Sequence, residues 1–194
     1  MGEAAKQLEM TPAEYLAFER ASPEKHEYLE GKIIARSGGT HKHSLLSTNV
    51  LGELHGALLD RPCDVLGSDM RVKTAGAKYH YPDVSVVCGN PSFEDDTRDV
   101  LLNPKLIVEV LSDSTEKYDR GDKFASYRTI GGLEDYVLVS QTEVLVEHYH
   151  RHPEGGWMYR VLGPGDQLDL VSLGCRISVD RIYHRVFLEA QPSA

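Results

Sequence analysis

Two carboxylates stand where the chain would be cheaper without them. Asp83 follows Pro82 and opens Val84-Ser85-Val86-Val87, and Glu109 interrupts the apolar run Ile107-Val108-Glu109-Val110-Leu111. An unpaired buried carboxylate is strongly unfavourable, so each requires a cation, a metal or a set of hydrogen bonds. Taken alone, either residue is explained as well by a buried ion pair or a protonated acid as by a functional role. Taken together, two carboxylates on neighbouring strands can converge on one hard cation, and magnesium favours one or two protein carboxylates, a carbonyl and several waters. A third group follows in Tyr118-Asp119-Arg120-Gly121-Asp122-Lys123-Phe124-Ala125-Ser126-Tyr127. On a helix Asp119, Lys123 and Tyr127 are spaced by four and share a face, from which Lys123 could reach the strand carrying Glu109. The alternative is a solvent-facing Asp-Lys pair worth a few tenths of a kcal/mol. Gly121 costs about 1 kcal/mol relative to alanine in a helix interior, which points to a close approach to the backbone there.

Several elements must position these groups. Thr11-Pro12-Ala13-Glu14 reads as an N-cap, a proline at the first helical position and a capping-box glutamate, opening a short helix that Ser22-Pro23 ends. Residues 28–35 read as a hairpin around Glu30-Gly31. From His43 to Leu59, apolar residues at Leu46, Val50, Leu51, Leu54 and Leu58 follow the 3.6-residue period of a long amphipathic helix. Residues 65–74, 81–88 and 106–111 then read as three strands, the last buried on both faces. A second helix fits 115–130, stopped by Gly131-Gly132. Residues 136–139, 144–150 and 157–162 suggest an antiparallel meander. The fold class is therefore α/β (α+β), a mixed sheet with helices packed against it.

Composition bounds the function. With 194 residues, 41% hydrophobic and 26% charged, the chain matches one globular domain and is too apolar for a disordered one. The expected domain spans 11–188, with flexible termini at 1–10 and 189–194. A net charge of -9 is the opposite of the footprint of a non-specific nucleic-acid coat, although a bound divalent cation can invert the local field. Arg61, Arg71, Lys73 and Lys78 leave a modest basic strip, with the acidic run Glu94-Asp95-Asp96 and Asp99 nearby in sequence. No window approaches eighteen consecutive apolar residues and MGEAAKQLEM lacks the apolar core of a secretory signal, so a cytoplasmic protein without membrane contact is expected. Cys63, Cys88 and Cys175 are odd in number and form no Cys-x-x-Cys pair; they are expected to be reduced, buried small hydrophobes. His41-Lys42-His43 lacks cysteine partners and reads as incidental rather than as a zinc site.

The ordered set Pro82-Asp83, Glu109-Val110-Leu111-Ser112, Asp119-Arg120-Gly121-Asp122-Lys123 and Tyr127 resembles the Uma-type branch of the PD-(D/E)XK nuclease superfamily, a bacterial group of restriction-type endonucleases. His26-Glu27-Tyr28-Leu29-Glu30-Gly31 is similar to that family's Tyr-Glu-Leu-Ile-Asp-Gly segment. His43 and Asn49 are similar to its helix start, and Glu134-Asp135-Tyr136-Val137-Leu138-Val139 to the strand after its lysine helix. The resemblance implies a restriction-endonuclease-like fold: a central mixed β-sheet flanked by helices, ending in an antiparallel meander. One departure stands out, because the superfamily's usual lysine position, two residues after the second acid, is Leu111; the resemblance implies that Lys123 replaces it. It further implies that Asp83, Glu109 and the Val110 carbonyl hold Mg2+ or Mn2+, and that Glu27 holds a metal-bound water or a second metal. Lys123 would orient water or stabilise the phosphate, and His43, Asp119 and Tyr127 would support the site or touch substrate. The implied reaction is metal-assisted phosphodiester hydrolysis in DNA by a homodimer. Two other readings remain open: an inactive nuclease-fold binding or assembly module, and a metal-dependent hydrolase of another phosphate substrate.

Overall fold

The computed structural model describes residues 9–113 and 115–187. Thr11 opens α1 (Pro12–Ala21) through the full capping box: its side chain accepts the Glu14 N–H, and its own N–H donates to the Glu14 carboxylate at 2.8 Å. The helix buries Tyr15 and Leu16, and Tyr15 stacks on Tyr28 of the following hairpin with ring centroids 5.0 Å apart. That hairpin pairs β1 (His26–Leu29) with β2 (Lys32–Ala35). Its Glu30-Gly31 turn has φ of 49° and 95°, the positive pair that a tight two-residue connection requires. Of the expected termini, 1–8 and 189–194 lie outside the described residues. Met10 is anchored, its N–H donating to the Gly31 carbonyl at 2.9 Å.

The hairpin belongs to a five-stranded sheet of order β2-β1-β5-β4-β7, with β4 (Arg71–Thr74), β5 (Lys78–His80) and β7 (Val100–Leu101). A second, six-stranded mixed sheet runs β11-β10-β9-β8-β6-β3. It contains β3 (Cys63–Gly67), β6 (Val84–Cys88), β8 (Leu106–Val110), β9 (Asp135–Val139), β10 (Val146–Arg151) and β11 (Trp157–Leu162). Only the β8–β9 pair is parallel in this sheet, and β9-β10-β11 form the expected meander. One face packs on α2 (His41–Leu58) through Leu46, Val50, Leu54 and Leu58. The hairpin of β12 (Gln167–Leu170) and β13 (Cys175–Ser178) and the short α5 (Val179–Ile182) complete that layer. On the other face Val87, Ile107, Tyr136 and Leu138 meet Val72 and Leu101 of the five-stranded sheet and Tyr127, Ile130 and Leu133. Alternation along β8 places Glu109 on that second face.

Four expectations change. The strand expected over 65–74 breaks at a turn closed by Met70 N–H to the Gly67 carbonyl at 3.1 Å, and its halves join different sheets. The strand expected from Tyr81 begins at Val84, because Pro82 has no N–H to give to a ladder. The helix expected over 115–130 is α3 (Glu116–Tyr118), a π-helical turn (Asp119–Lys123) and α4 (Phe124–Tyr127). Gly121 lies in that turn, and a Cβ there would meet nothing within 4 Å, so no close backbone approach explains it; π-helical turns instead occur frequently at functional sites. Finally, Cys63 and Cys88 are not reduced. The β3–β6 register sets them directly opposite each other, Cα atoms 4.0 Å apart, and they form a disulfide. A separation of 25 residues carries no trace of that pairing, whereas Cys175 is free.

Candidate active site

The site forms where the two sheets and the π-helical turn meet. Lys123 is fully buried at the end of that turn. Its Nζ lies 2.7 Å from Glu109 Oε1 and 3.5 Å from both Glu27 Oε1 and Asp119 Oδ1. The Tyr127 hydroxyl donates to the same Glu109 oxygen at 2.9 Å. The lysine thus reaches the strand carrying Glu109 from the following helix. Asp83, at the mouth of β6, accepts the Val110 N–H at 2.7 Å through Oδ2, and His43 Nε2 stands 3.4 Å from that oxygen. The N–H and C=O of one strand residue point to the same side, so the Val110 carbonyl also opens toward Asp83.

Glu27 on β1 completes the group from the other sheet. Its Oε1 accepts the Tyr81 N–H at 3.2 Å and lies 3.7 Å from Arg36. Its Oε2 is 3.7 Å from His80 Nδ1, and His80 Nε2 is 3.0 Å from Ser126 Oγ. The eight residues read from the sequence, Glu27, His43, Asp83, Glu109, Val110, Asp119, Lys123 and Tyr127, therefore belong to one neighbourhood. No three acids of this group converge to within 4.8 Å, however. Glu27 is held by the Tyr81 N–H, Lys123 and Arg36.

The electrostatics follow from burial and crowding. Burial pushes the Glu109 carboxyl up to about 8, with Asp119 and Asp83 reinforcing the shift against Lys123. Burial also acts to raise Glu27, but Lys123, His80 and Arg36 outweigh it and hold Glu27 low. Asp83 is held below the usual carboxylate range against its burial by His43 and the Val110 N–H. Burial would lower Lys123, yet Glu109 and Glu27 raise it. Burial lowers His80 against the opposing pull of Glu27. Asp119 Oδ1 is buried without a hydrogen-bond donor among the described residues.

Arg36, His80 and Ser126 were not singled out in the sequence. His80, enclosed in Tyr79-His80-Tyr81, carried a signal as a polar ring amid aromatics, whereas Arg36 carried none. Three of the four residues of the basic strip are paired with acids, while Arg61 donates to the Gly174 carbonyl at 2.7 Å. Arg71 pairs with Asp99 and Lys73 with Glu94, both at short range, and Lys78 pairs with Glu30 at 2.9 Å. The acidic run thus folds onto the basic one.

A family model described as "Putative restriction endonuclease" (Uma2) matches residues 12–180. The chain belongs to the Uma2 family. Two Synechocystis relatives, uncharacterized proteins slr1290 and sll1609, are each 39% identical to it. The first match covers 90% of this chain and 91% of the relative, the second 77% and 85%. The crystal structure of a "putative nuclease belonging to DUF820" from Anabaena variabilis superposes with a TM-score of 0.72 at 19% identity, covering 90% of this chain and 97% of that one. This Uma2 chain therefore has the nuclease-like mixed α+β fold of that neighbour. Lys123 stands at the end of the π-helical turn that follows β8 and α3, and position 111 is leucine.

Proposed function

We propose that this Uma2 chain is an endonuclease that hydrolyses phosphodiester bonds in DNA with Mg2+ or Mn2+. The observation that carries the reading is an excess of buried acid. Glu27, Asp83, Glu109 and Asp119 are all buried, and their cationic neighbours are Lys123 and Arg36. With all six ionised, four negative and two positive charges leave -2, the charge that one divalent cation balances. The donors also suit a hard cation: two carboxylates, Asp83 and Glu109, and the backbone carbonyl of Val110, the residue after Glu109.

A cation held by these groups would polarise a phosphoryl oxygen and promote ionisation of water. Asp83 is already ionised and oriented by the Val110 N–H and His43, so it would bind without rearranging. Glu109 would give up its proton on binding and exchange part of its contact with Lys123. The freed ammonium of Lys123 would then face the developing negative charge on the phosphate, or orient the attacking water. Glu27 keeps Lys123 in place and charged, and Tyr127 fixes the rotamer of Glu109. His43, half-buried at the rim, would support Asp83 or contact substrate. The proposed working form is a homodimer, which matches the two-fold symmetry of duplex DNA; Met158, Tyr159 and Val161 expose apolar surface on the edge strand β11 for such a contact.

The test is incubation of purified protein with supercoiled DNA, linear DNA and RNA in Mg2+, Mn2+ or EDTA, beside Asp83→Ala, Glu109→Ala and Lys123→Ala. DNA cleavage should require metal and fall by about 100-fold or more in each variant. Cleavage in EDTA, or variants that cut like the wild type, would overturn the assignment. Metal-dependent DNA binding without any cleavage would make the chain a binding module on a nuclease fold.

A further inference from the structure

We propose that Asp135, His148 and His150 form a second metal site, for Zn2+ or a similar borderline divalent ion, on the face of the six-stranded sheet opposite Glu109. Among the described residues this is the one group of three His, Cys, Asp or Glu side chains whose ligand atoms all lie within 4.8 Å of one another. Asp135 Oδ1 is 2.7 Å from His148 Nε2 and 2.8 Å from His150 Nδ1. The frame is rigid. Asp135 opens β9 and is the register partner of His150 on β10, while His148, two residues earlier, shares its face.

The spacing is close to what a metal needs. Tetrahedral Zn2+ with bonds of about 2.0–2.1 Å holds its ligand atoms roughly 3.4 Å apart. The present separations of Asp135 Oδ1 from the two ring nitrogens are therefore some tenths of an ångström short of a liganded site, within reach of small side-chain rotations. Two imidazoles and one carboxylate are a donor set for zinc and its neighbours, not for Mg2+, which prefers oxygen. A supporting contact is also present. The Ser172 hydroxyl, from the turn between β12 and β13, donates to Asp135 Oδ2, which orients the carboxylate and leaves Oδ1 directed at the two rings. Such partners of a metal ligand typically matter 10–100-fold in affinity.

Burial grades across the group in the way an accessible site requires. Asp135 is fully buried and His148 nearly so, whereas the His150 side chain is 22% exposed. An ion would enter past His150, and its remaining position would face solvent. The site ties the meander to the β12–β13 hairpin through Ser172. It does not depend on the nuclease assignment, because none of its residues contacts Lys123, Glu109 or Asp83 in the described structure.

The experiment uses the full chain, stripped with EDTA and dialysed, titrated with Zn2+, Co2+ and Mg2+ by calorimetry, with Co2+ absorption as a second readout. One equivalent of Zn2+ should bind at least 100-fold more tightly than Mg2+, and Co2+ should give the visible bands of a low-coordinate nitrogen-ligated ion. His150→Gln, at the accessible edge, should weaken Zn2+ binding at least 10-fold while circular dichroism stays unchanged, and Ser172→Ala should weaken it by about 10-fold. Asp83→Asn should leave it unaltered. No stoichiometric Zn2+ binding would overturn the proposal. So would binding that survives His150→Gln but disappears in Cys175→Ser or in His41→Gln/His43→Gln, which would place the ion elsewhere. Should His148→Ala fail to fold, His150→Gln and Ser172→Ala still decide the outcome.

Discussion

The two faces of the six-stranded sheet each bury a polar cluster, and the clusters differ in composition. On one face four acids share one buried lysine and a half-exposed arginine. On the other, one aspartate receives two imidazoles and a hydroxyl. The second cluster is compact: two ring nitrogens and a hydroxyl all lie within hydrogen-bond distance of one carboxylate, and they hold Asp135 below the usual carboxylate range against its burial. In the first cluster the acid exceeds its cations, and the surplus appears as the raised Glu109 carboxyl and as an Asp119 oxygen that has Lys123 at 3.5 Å but receives no hydrogen bond. The two faces of one sheet therefore carry a polar group whose side chains already meet one another, where the proposed Zn2+ would take the place of the carboxylate–ring contacts, and a group whose charge is balanced only by a proton or an added cation. Charge surplus, rather than polarity itself, marks the face on which chemistry is proposed.

The largest effect should come from removing the fully buried lysine of the acid-rich face. Lys123→Met leaves Glu27, Glu109 and Asp119 without their shared partner, and breaking a buried pair in this way costs about 3–5 kcal/mol. Denaturant unfolding at pH 8 should show that loss, and lowering the pH should restore part of it as the acids protonate. A cost below about 1 kcal/mol would mean that the acids are neutral without the lysine and that the two faces do not differ as argued.

Glu109→Gln should act in the opposite direction. Its folded-state carboxyl titrates near 8, well above the ordinary value near 4.3, so the fold favours the protonated form. The stability this confers is fully present below the ordinary value and is lost as pH rises toward 8. The amide keeps the neutral state at every pH. Without metal, Glu109→Gln should therefore match the wild type near pH 4 and exceed it at pH 8, by on the order of a few kcal/mol. Mg2+ should stabilise the wild type more as pH rises, since binding displaces a proton, and should leave the glutamine variant unmoved. Thermal melts across pH 5–9 with and without Mg2+ would show both; a wild type whose stability rises from pH 5 to 8 in parallel with the variant would remove the crowding argument.

How much of this was legible follows from the range of the interactions. The acids announced themselves locally, since a glutamate between Ile107-Val108 and Val110-Leu111 breaks an apolar run whatever lies around it. The capping box of α1 and the apolar stripe of α2 are also properties of a few consecutive residues. Lys123 needed the family's pattern, because its spacing equally suits a surface pair. The π-helical turn was hidden, for Gly121 lowers helix preference without stating which helix replaces it. The disulfide and the Asp135 cluster depend on register between strands far apart in sequence, which neither composition nor spacing encodes. His148-Tyr149-His150 did carry a trace: alternate positions on a strand share a face, so two imidazoles were bound to project together. The basic strip misled because its partners, Glu94 and Asp99, close on it only after folding.

The smallest effect separates burial from charge count. Arg36 is the second cation of the acid-rich face, yet its side chain is 27% exposed and its contact with Glu27 is 3.7 Å. Water already screens much of that interaction, so Arg36→Gln should cost less than about 1 kcal/mol and the cost should shrink further in high salt. Lys123 makes its contacts with no exposure at all, and neither salt nor solvent should soften its loss. Measuring both variants at low and high ionic strength compares two cations with one acid, Glu27, in common. If the arginine proved as costly as the lysine and equally indifferent to salt, the number of charges on this face would set its stability, and depth in the structure would not.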